Sequence, residues 1–319
     1  MSMYSTILGT GSYLPEKILT NQDLEKFIDT TDEWITTRTG IKQRHVAAET
    51  DTTAGLAIRA CQKAMESANV SAEEIDMVIV ATATSDDAFP STASRVQYGL
   101  GLRHIVAFDV SAACAGFNHA LSIADQYIKT GFAKTVMIVG CEMLTRVIDW
   151  TDRATCVLFG DGAGAVILGA SDKPGVLSTH LHCDGSQHSI LFAPNTLVQK
   201  TAASSFVQME GREVFRHAVT RLGELVDETL AANNLTKNDI DWLIPHQANI
   251  RIIQAMAKKL DMSMDKVIVT VDDQGNTSAA SIPLALDIAV RDGRVKRGDL
   301  VLLESFGGGL VWGSALIRY

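Results

Sequence analysis

A thiol, an imidazole and a carboxamide, at Cys114, His246 and Asn276, are the side chains of this sequence best suited to covalent and acid–base chemistry. Cys114 follows an apolar run at 105–110 and opens a helical pattern. A thiol at a helix N-terminus meets the positive end of the dipole, which lowers its pKa, and the free N–H groups there can hold an oxyanion. The alternative is a buried structural cysteine, the commoner fate of this residue type.

His246 ends the buried run 242–245, and a histidine at the carboxyl end of a parallel strand lies where α/β sheets bind their ligands. Together with Asn276 it can donate two hydrogen bonds to one substrate oxygen, which is how neutral histidine and asparagine stabilise an enolate. A histidine satisfied within the core is the alternative. These residues therefore predict an enolate-binding pair beside a nucleophile.

An internal repeat places the cysteine and the asparagine at matching positions. Cys114 and Asn276 each precede a glycine by 17 residues (131 − 114 and 293 − 276), and Glu142 and Glu304 keep the same separation of 162 (304 − 142). A duplication of this kind predicts a fold with two pseudo-symmetric halves. The thiol and the amide would then face each other across the axis, with Asn276 replacing the nucleophile in the second copy.

The repeat continues upstream with a slightly larger separation. The segments 68–79 and 233–244 are 165 apart (244 − 79), and this alignment puts His246 where the first half has Ala81. The imidazole is therefore a specialisation of the second half.

Each half has the same predicted order of elements. An amphipathic helix comes first, since apolar residues recur at helical spacing, and a continuous apolar run typical of a strand buried on both faces follows. A strand, helix and strand come next, and a glycine-rich segment at 159–168 or 306–316 predicts a hairpin. The turn 171–175 divides the chain into halves at 1–172 and 173–319. The glycines at 160–164 do not predict a dinucleotide site, because a strand follows where that motif requires a helix.

The composition and charge of the chain disfavour several kinds of partner and site. The chain has 319 residues, of which 46% are hydrophobic, and a net charge of −9, which disfavours nucleic acid or an anionic membrane as the main partner. Five cysteines without regular spacing indicate a reducing cytoplasm rather than a disulfide framework. His180, His182 and Cys183 invite a metal interpretation, but no second pair with ligand spacing follows, so we expect no metal.

One basic cluster stands out against the acidic composition. Arg251, Lys258 and Lys259 share a predicted helix, and Arg212 and Arg216 begin the helix before it. Such a cluster is usually a solvated face. Next to the His246 loop, it could also steer an acidic carrier toward the site.

Taken together, the chain resembles the thiolase superfamily and specifically the 3-oxoacyl-[acyl-carrier-protein] synthase III family. The resemblance covers essentially the whole chain and rests on motifs at 32–41, 109–116, 245–249, 275–281 and 306–318. Elongating synthases carry Cys-His-His, and thiolases carry a second cysteine near the C-terminal glycines. The Cys-His-Asn set is that of the priming synthases, shared with plant-type polyketide synthases.

The resemblance implies a thiolase-like α/β fold, with two pseudo-symmetric halves in α-β-α-β-α layers. It also implies a ping-pong acyltransferase that initiates type II fatty acid synthesis. Cys114 takes the acyl group of an acyl-CoA, with the oxyanion held by the N–H groups of Cys114 and Gly308. Malonyl carrier protein then loses carbon dioxide, His246 and Asn276 stabilise the enolate, and its attack on the acyl-cysteine gives a 3-oxoacyl carrier protein. No cofactor beyond these substrates is implied.

The resemblance further assigns binding residues. The CoA set is Trp34, Arg38, Arg153, Gly211, Phe215 and Asn249. The carrier-protein set is Arg216, Gln247, Arg251, Lys258 and Lys259. Phe306 and Phe89 border the acyl pocket. Phe89 reaches across a homodimer interface to do so, and the bulk of its ring favours short primers such as acetyl.

Three alternatives remain open from the residues. The nearest is a paralogue of secondary metabolism that uses a longer or aromatic primer. A second is a thioesterase-like hydrolase that uses Cys114 and releases free acid. The third is a non-catalytic scaffold, which predicts no adduct on Cys114. The segment 191–209 and Leu310 depart from the expected pattern and bear on the shape of the pocket.

Overall fold

Two mixed β-sheets, one from each half of the sequence, form the frame of the molecule. The computed structural model describes residues 3–200 and 204–319. Its strands are β1 (Tyr4–Tyr13), β2 (Lys17–Thr20), β3 (Gln43–Val46), β4 (Met77–Ala81), β5 (Val106–Val110), β6 (Thr135–Met143), β7 (Asp161–Ser171), β8 (Val176–Cys183), β9 (Leu191–Phe192), β10 (Gln208–Met209), β11 (Trp242–Pro245), β12 (Leu300–Gly307) and β13 (Val311–Arg318). Its α-helices are α1 (Asn21–Leu24), α2 (Asp32–Thr39), α3 (Thr53–Ala68), α4 (Thr92–Gly99), α5 (Gly116–Lys129), α6 (Gly211–Ala232), α7 (Ile250–Lys259), α8 (Val271–Gln274) and α9 (Ser281–Arg291).

The two large sheets have related topologies. The first has the order β1-β7-β6-β4-β5, and the second has the order β11-β12-β13-β8. The central pairs β4–β6 and β11–β12 are parallel, whereas β6–β7 and β12–β13 are antiparallel. Where β5 stands in the first half, the second half has an isolated bridge between Leu243 and Val267.

Helices cover both faces of each sheet. The apolar core between the sheets contains side chains of α5 and α9, together with Ile79 and Ile138 from one sheet and Ile244 and Leu303 from the other. On the outer faces, α3 packs on the first sheet, and α6 and α7 pack on the second. The predicted α-β-α-β-α arrangement is confirmed.

The predicted helices and strands are found close to their expected bounds. The run 77–81 is β4, whose five residues are all buried, as expected for a strand with helices on both faces. The C-terminal glycines form the turn between β12 and β13. Gly162 and Gly164 instead lie within β7, and residues 144–160 join that strand to β6. The hairpin predicted for the first half is therefore a long connection.

In the turns that lead into the inner helices α5 and α9, equivalent positions of the two halves are 165 residues apart. A 3₁₀ turn precedes each inner helix, and its first residue has a positive φ, 43° at Ala113 and 49° at Ser278. Cys114 is thus equivalent to Ala279 (279 − 114 = 165), and Asn276 lies three positions earlier. The prediction that Asn276 replaces the nucleophile is wrong. The separation of 162 at the following glycines arises because α5 has 14 residues and α9 has 11.

The two glutamates aligned by spacing are not equivalent either. Glu142 on β6 bonds Ser278, in the turn before α9, and so faces the interior between the sheets. Glu304 on β12 lies opposite Ser314, whose hydroxyl bonds Thr229 of α6, on the outer face of the other sheet. Because side chains alternate along a strand, a slip of three residues exchanges the faces.

Candidate active site

A cavity of about 740 Å³ opens at the carboxyl ends of the parallel strands. Such a volume fits a sizeable organic ligand. It brings together most of the residues singled out from the sequence, namely Cys114, His246, Asn276, Trp34, Arg38, Gly211, Phe215, Asn249, Arg251, Phe306 and Gly308. Segment 191–209, apart from 201–203, which lie outside the described residues, supplies one wall through Leu191–Asn195, Ser205, Val207 and Met209.

Cys114 lies in the 3₁₀ turn that leads into α5. N–H groups in a first turn have no intrahelical acceptor, so the amide of Cys114 can donate to a substrate oxygen. Burial raises the pKa of the Cys114 thiol to about 11, and the Glu142 carboxylate adds to this increase. The pKa is therefore raised and not lowered as the sequence suggested, because loss of hydration disfavours the thiolate.

His246 follows β11 and is fixed by the neighbouring strand and helix. Its backbone N–H donates to the Glu304 carbonyl at 2.7 Å, and its Nδ1 lies 2.6 Å from the Ser281 hydroxyl oxygen. The N–H of Gln247 donates to the same hydroxyl at 3.2 Å. Ser281 can therefore give its own proton to Nδ1, which leaves Nε2–H as a donor toward the cavity. Burial lowers the pKa of His246 to about 3, so the imidazole is neutral near pH 7.

Asn276 is fixed by a short parallel bridge to Phe159. Its N–H donates to the Leu158 carbonyl at 2.8 Å, and its carbonyl accepts from the Gly160 N–H at 3.0 Å. The side-chain oxygen accepts from the Ser278 N–H at 2.9 Å. Since the oxygen is occupied, the side-chain NH₂ remains to donate to a ligand in the cavity.

A buried arginine supports this bridge. Arg44 is fully buried, and its guanidinium donates to the Val157 carbonyl at 2.7 Å and to Asn21 at 2.9 Å. Burial lowers the pKa of Arg44 to about 10. Sequence reasoning missed this residue, because nothing in its neighbourhood distinguishes it from a surface arginine.

Two glycines at the end of β12 bring its backbone close to the thiol. A Cβ on Gly307 would lie 2.7 Å from the Cys114 backbone nitrogen, and one on Gly308 would lie 2.6 Å from the Leu191 carbonyl oxygen. Only glycine permits this approach. It places the Gly308 backbone on the cavity wall near Cys114, as an oxyanion site requires.

The mouth of the cavity carries an aromatic ring between cationic groups. The guanidinium carbons of Arg38 and Arg153 lie 4.6 and 4.7 Å from the centre of the Trp34 ring. Arg153 itself is outside the cavity lining but adjacent to it. An indole with two guanidinium groups suits a planar heterocycle that bears phosphates.

The remaining predicted residues lie elsewhere. Arg216 and Lys258 are exposed and Lys259 is half-buried, on the adjacent helices α6 and α7. Gln247 is wrong as a docking residue, because its side chain is 1% exposed and bonds the backbone of Pro245, Ile268, Thr270 and Val271. Phe89 is 86% exposed and does not line the cavity of its own chain.

The histidines considered as metal ligands instead connect β8 with α6. His182 and His180 both contact Glu228 of α6, at 2.7 and 3.2 Å, and the His182 ring stacks on Trp312. These contacts tie β8 to α6. Trp312 stacks in turn on Phe306, which lines the cavity.

Sequence reasoning gave no role to Ser278, Ser281 or Glu142. Both serines belong to the motif 275–281 quoted for the resemblance, and their spacing could not show which group each hydroxyl meets. A signal existed for Glu142, since an acidic residue within a buried apolar strand is uncommon and requires partners.

Comparison with known families and proteins gives a consistent result. The family model described as 3-oxoacyl-[acyl-carrier-protein (ACP)] synthase III matches residues 108–185, and the model for the C-terminal part of the same family matches residues 230–319. A beta-ketoacyl-[acyl-carrier-protein] synthase III from Thioalkalivibrio sulfidiphilus is 59% identical over 99% of both chains. One from Escherichia coli is 56% identical over 99% of this chain and 100% of the relative.

A solved structure agrees with the fold. The crystal structure of 3-oxoacyl-[acyl-carrier-protein] synthase III from Aquifex aeolicus is 49% identical in sequence and aligns with a TM-score of 0.94. The alignment covers 99% of this chain and 100% of that one. In the part of the chain that the structure describes, no helix is long and apolar enough to cross a membrane.

Proposed function

This chain belongs to the 3-oxoacyl-[acyl-carrier-protein] synthase III family, and from that membership we propose that it initiates type II fatty acid synthesis. It condenses an acyl-CoA primer, acetyl-CoA first of all, with malonyl carrier protein to give 3-oxoacyl carrier protein, carbon dioxide and CoA. The observation that carries this proposal is a single cavity lined by Cys114, His246 and Asn276. The reaction takes place in the cytoplasm, where these substrates are found, and needs no further cofactor.

In the first half-reaction, the Cys114 sulfur attacks the thioester carbonyl of the acyl-CoA. Negative charge develops on the carbonyl oxygen, which the N–H groups of Cys114 and Gly308 stabilise. CoA leaves, and the acyl group stays on the thiol. Covalent catalysis divides a difficult condensation into two thioester reactions.

In the second half-reaction, malonyl carrier protein loses carbon dioxide at the same cavity. The thioester oxygen becomes an enolate oxygen and accepts hydrogen bonds from His246 Nε2–H and the Asn276 NH₂. A neutral imidazole is suited to this role, and the buried position of His246 keeps it neutral near pH 7. The enolate carbon then attacks the acyl-cysteine, which releases product and restores the thiol.

The two substrates use different parts of the surface. The adenine and phosphates of CoA bind at Trp34, Arg38 and Arg153, and the pantetheine arm follows the cavity wall at Gly211, Phe215 and Asn249. The acidic carrier protein docks on the basic cluster of Arg216, Arg251, Lys258 and Lys259, since complementary charge steers association.

The functional unit is a homodimer in which Phe89 closes the acyl pocket of the partner subunit. The 86% exposure of this ring in the single chain supports a contact of that kind. Phe89→Ala should extend acylation to longer acyl-CoAs, whereas Phe132→Ala, at another exposed ring, should not. An unchanged chain-length profile for Phe89→Ala would contradict the assignment.

The function is tested by supplying acetyl-CoA and malonyl carrier protein together and identifying the products. The proposal predicts 3-oxobutyryl carrier protein and stoichiometric carbon dioxide. Free acid formed without malonyl carrier protein would identify a hydrolase. Condensation with long or aromatic primers and none with acetyl-CoA would place the chain among the paralogues of secondary metabolism.

A further inference from the structure

The proposed acylation requires an acceptor for the proton that the Cys114 thiol loses. Because burial raises the pKa of the Cys114 thiol to about 11, the sulfur carries its proton near pH 7 and must lose it as it attacks. His246 is poorly suited to take it, since Nδ1 is occupied by Ser281 and Nε2 bears the hydrogen that faces the cavity. Another acceptor within reach of the thiol is needed.

Ser278 connects the thiol to the interior of the protein. Its hydroxyl is close enough to the Cys114 thiol to influence the pKa of the thiol, both residues line the cavity, and the hydroxyl donates to Glu142 Oε1 at 3.1 Å. Because that hydroxyl gives its hydrogen to Glu142, its lone pair is free to accept the thiol proton. The N–H of Ser278 bonds the Asn276 side chain at 2.9 Å, which fixes the turn in this orientation.

Glu142 is a buried acid placed to receive a proton. It is fully buried, and its other oxygen accepts from the Thr84 hydroxyl at 2.6 Å, while the Ala83 N–H lies 3.1 and 3.2 Å from the two oxygens. Among the described residues it forms no ion pair, and it is close enough to the Cys114 and Cys141 thiols for its charge to raise the pKa of both. Burial raises the pKa of Glu142 to about 7, where a general base is most effective.

We propose that Ser278 transfers the Cys114 thiol proton to Glu142 during acylation. The inference rests on the proposed function. As the bond from sulfur to the acyl carbon forms, the thiol proton moves to the Ser278 oxygen, and the Ser278 proton moves to the Glu142 carboxylate. CoA leaves as a thiolate that takes a proton from solvent. After condensation expels the Cys114 thiolate, Glu142 returns its proton by the same route, so one solvent proton is consumed per turnover.

Single-turnover acylation by acetyl-CoA, followed by intact-protein mass between pH 6 and 9, tests this relay. The variants are Ser278→Ala, Glu142→Gln and the double variant, with Thr82→Val as the matched control. Thr82 lies 3.4 Å from a Glu142 oxygen and is not part of the proposed route. Condensation by enzyme that has been acylated beforehand separates a loss of proton transfer from a general distortion of the site.

We expect acylation at pH 7 to slow about 10²-fold in each single variant, by no more in the double variant, and by under about 2-fold in Thr82→Val. The wild-type rate should level off above about pH 8, whereas the variants, which depend on thiolate alone, should keep rising with pH. Condensation by acylated enzyme should change by less than about 3-fold.

Two results would overturn the relay. One is a wild-type acylation rate and pH profile in either Ser278→Ala or Glu142→Gln. The other is an equal loss in both half-reactions, which would show that the two residues only maintain the shape of the site. If Glu142→Gln does not fold, Ser278→Ala decides the matter alone. A wild type that never acylates Cys114 would overturn the proposed function itself, which distinguishes the two failures.

Discussion

The turn before α5 and the turn before α9 have matching backbones and different chemistry. Both are 3₁₀ turns that open with a positive φ, at Ala113 and at Ser278. The first then presents Cys114 to the cavity, whereas the second presents Ala279, which is buried against β6.

The strands that meet these turns differ in the same way. Glu142 of β6 bonds Ser278 in the second turn. Its equivalent in β12, at a separation of 165 (307 − 142), is Gly307, which leaves room for Cys114 in the first turn. At the ends of the central strands, Ala81 and His246 are equivalent at the same separation. The pairs are thus Cys114 and Ala279, Glu142 and Gly307, and His246 and Ala81. In each of them the first residue has a role in the proposed chemistry and the second is a small residue.

This difference shows what the duplication contributes. The repeat supplies two inner helices whose N-termini meet between the sheets. In the proposed mechanism, Cys114 of the first half holds the acyl group, whereas His246 and Asn276 of the second half provide the hydrogen bonds for condensation. The first three of the following predictions test that division of roles.

The largest effect should come from the enolate pair. His246→Ala and Asn276→Ala should each lower the rate of condensation roughly 10²- to 10³-fold, since each removes one donor to a developing oxyanion. Acylation of Cys114, measured by intact mass, should stay within a few-fold of wild type. Equal loss of both half-reactions would contradict the separate roles of Cys114 and of the His246–Asn276 pair.

A methyl group at Gly307 should act on the other half-reaction. In Gly307→Ala the added Cβ would lie 2.7 Å from the Cys114 nitrogen and displace the turn, so acylation should slow about 10²-fold. Gly185→Ala, where a Cβ would meet nothing within 4 Å, is the control. Normal acylation by Gly307→Ala would show that the close approach is not required.

Loss of the Ser281 hydroxyl should have a smaller effect. Without it, the His246 ring loses the group 2.6 Å from Nδ1 that fixes which nitrogen carries the hydrogen. Ser281→Ala should therefore slow condensation about 10-fold while leaving acylation nearly unchanged. Pre-steady-state measurement of both steps checks this, and a slower acylation with normal condensation would contradict it.

Glu304 should affect stability rather than catalysis. Neither of its carboxyl oxygens has a hydrogen-bond partner among the described residues, and burial raises its pKa from 4.5 to about 8. Between these pH values the unfolded chain releases the proton while the folded chain keeps it, so the free energy of unfolding falls as pH rises.

In Glu304→Gln, the free energy of unfolding should lose this dependence on pH. The Tm of the variant relative to wild type should therefore increase from pH 5 to pH 8, by an amount that corresponds to a few kcal/mol at most. Thermal unfolding at several pH values measures it. A constant difference in Tm would mean that Glu304 finds a charged or hydrated partner in solution.

Much of this arrangement could be predicted from the sequence. Cys114 and His246 were identified because each follows a buried apolar run, which places a polar group at the carboxyl end of a strand. The layered fold followed from the duplicated order of helices and strands. These features depend on local patterns that a single chain displays.

The errors have physical causes that no local pattern reveals. The shorter helix α9 shifted the alignment by three residues, so Asn276 was paired with Cys114 and Glu304 with Glu142. The pKa of Cys114 depends on burial by segments distant in sequence. Gln247 stands beside His246 in the chain, yet its side chain turns inward to satisfy backbone groups of β11 and of residues 268–271.

The central claim is that Cys114 carries the acyl group between the two half-reactions. Its most direct test is the intact mass of wild type and Cys114→Ser after brief incubation with acetyl-CoA, followed by addition of malonyl carrier protein. We predict one acetyl group on the wild type and none on the variant, and loss of that group, with 3-oxobutyryl carrier protein formed, when the second substrate is added. An unmodified wild type, or an acetyl group that also forms on Cys114→Ser, would contradict the account.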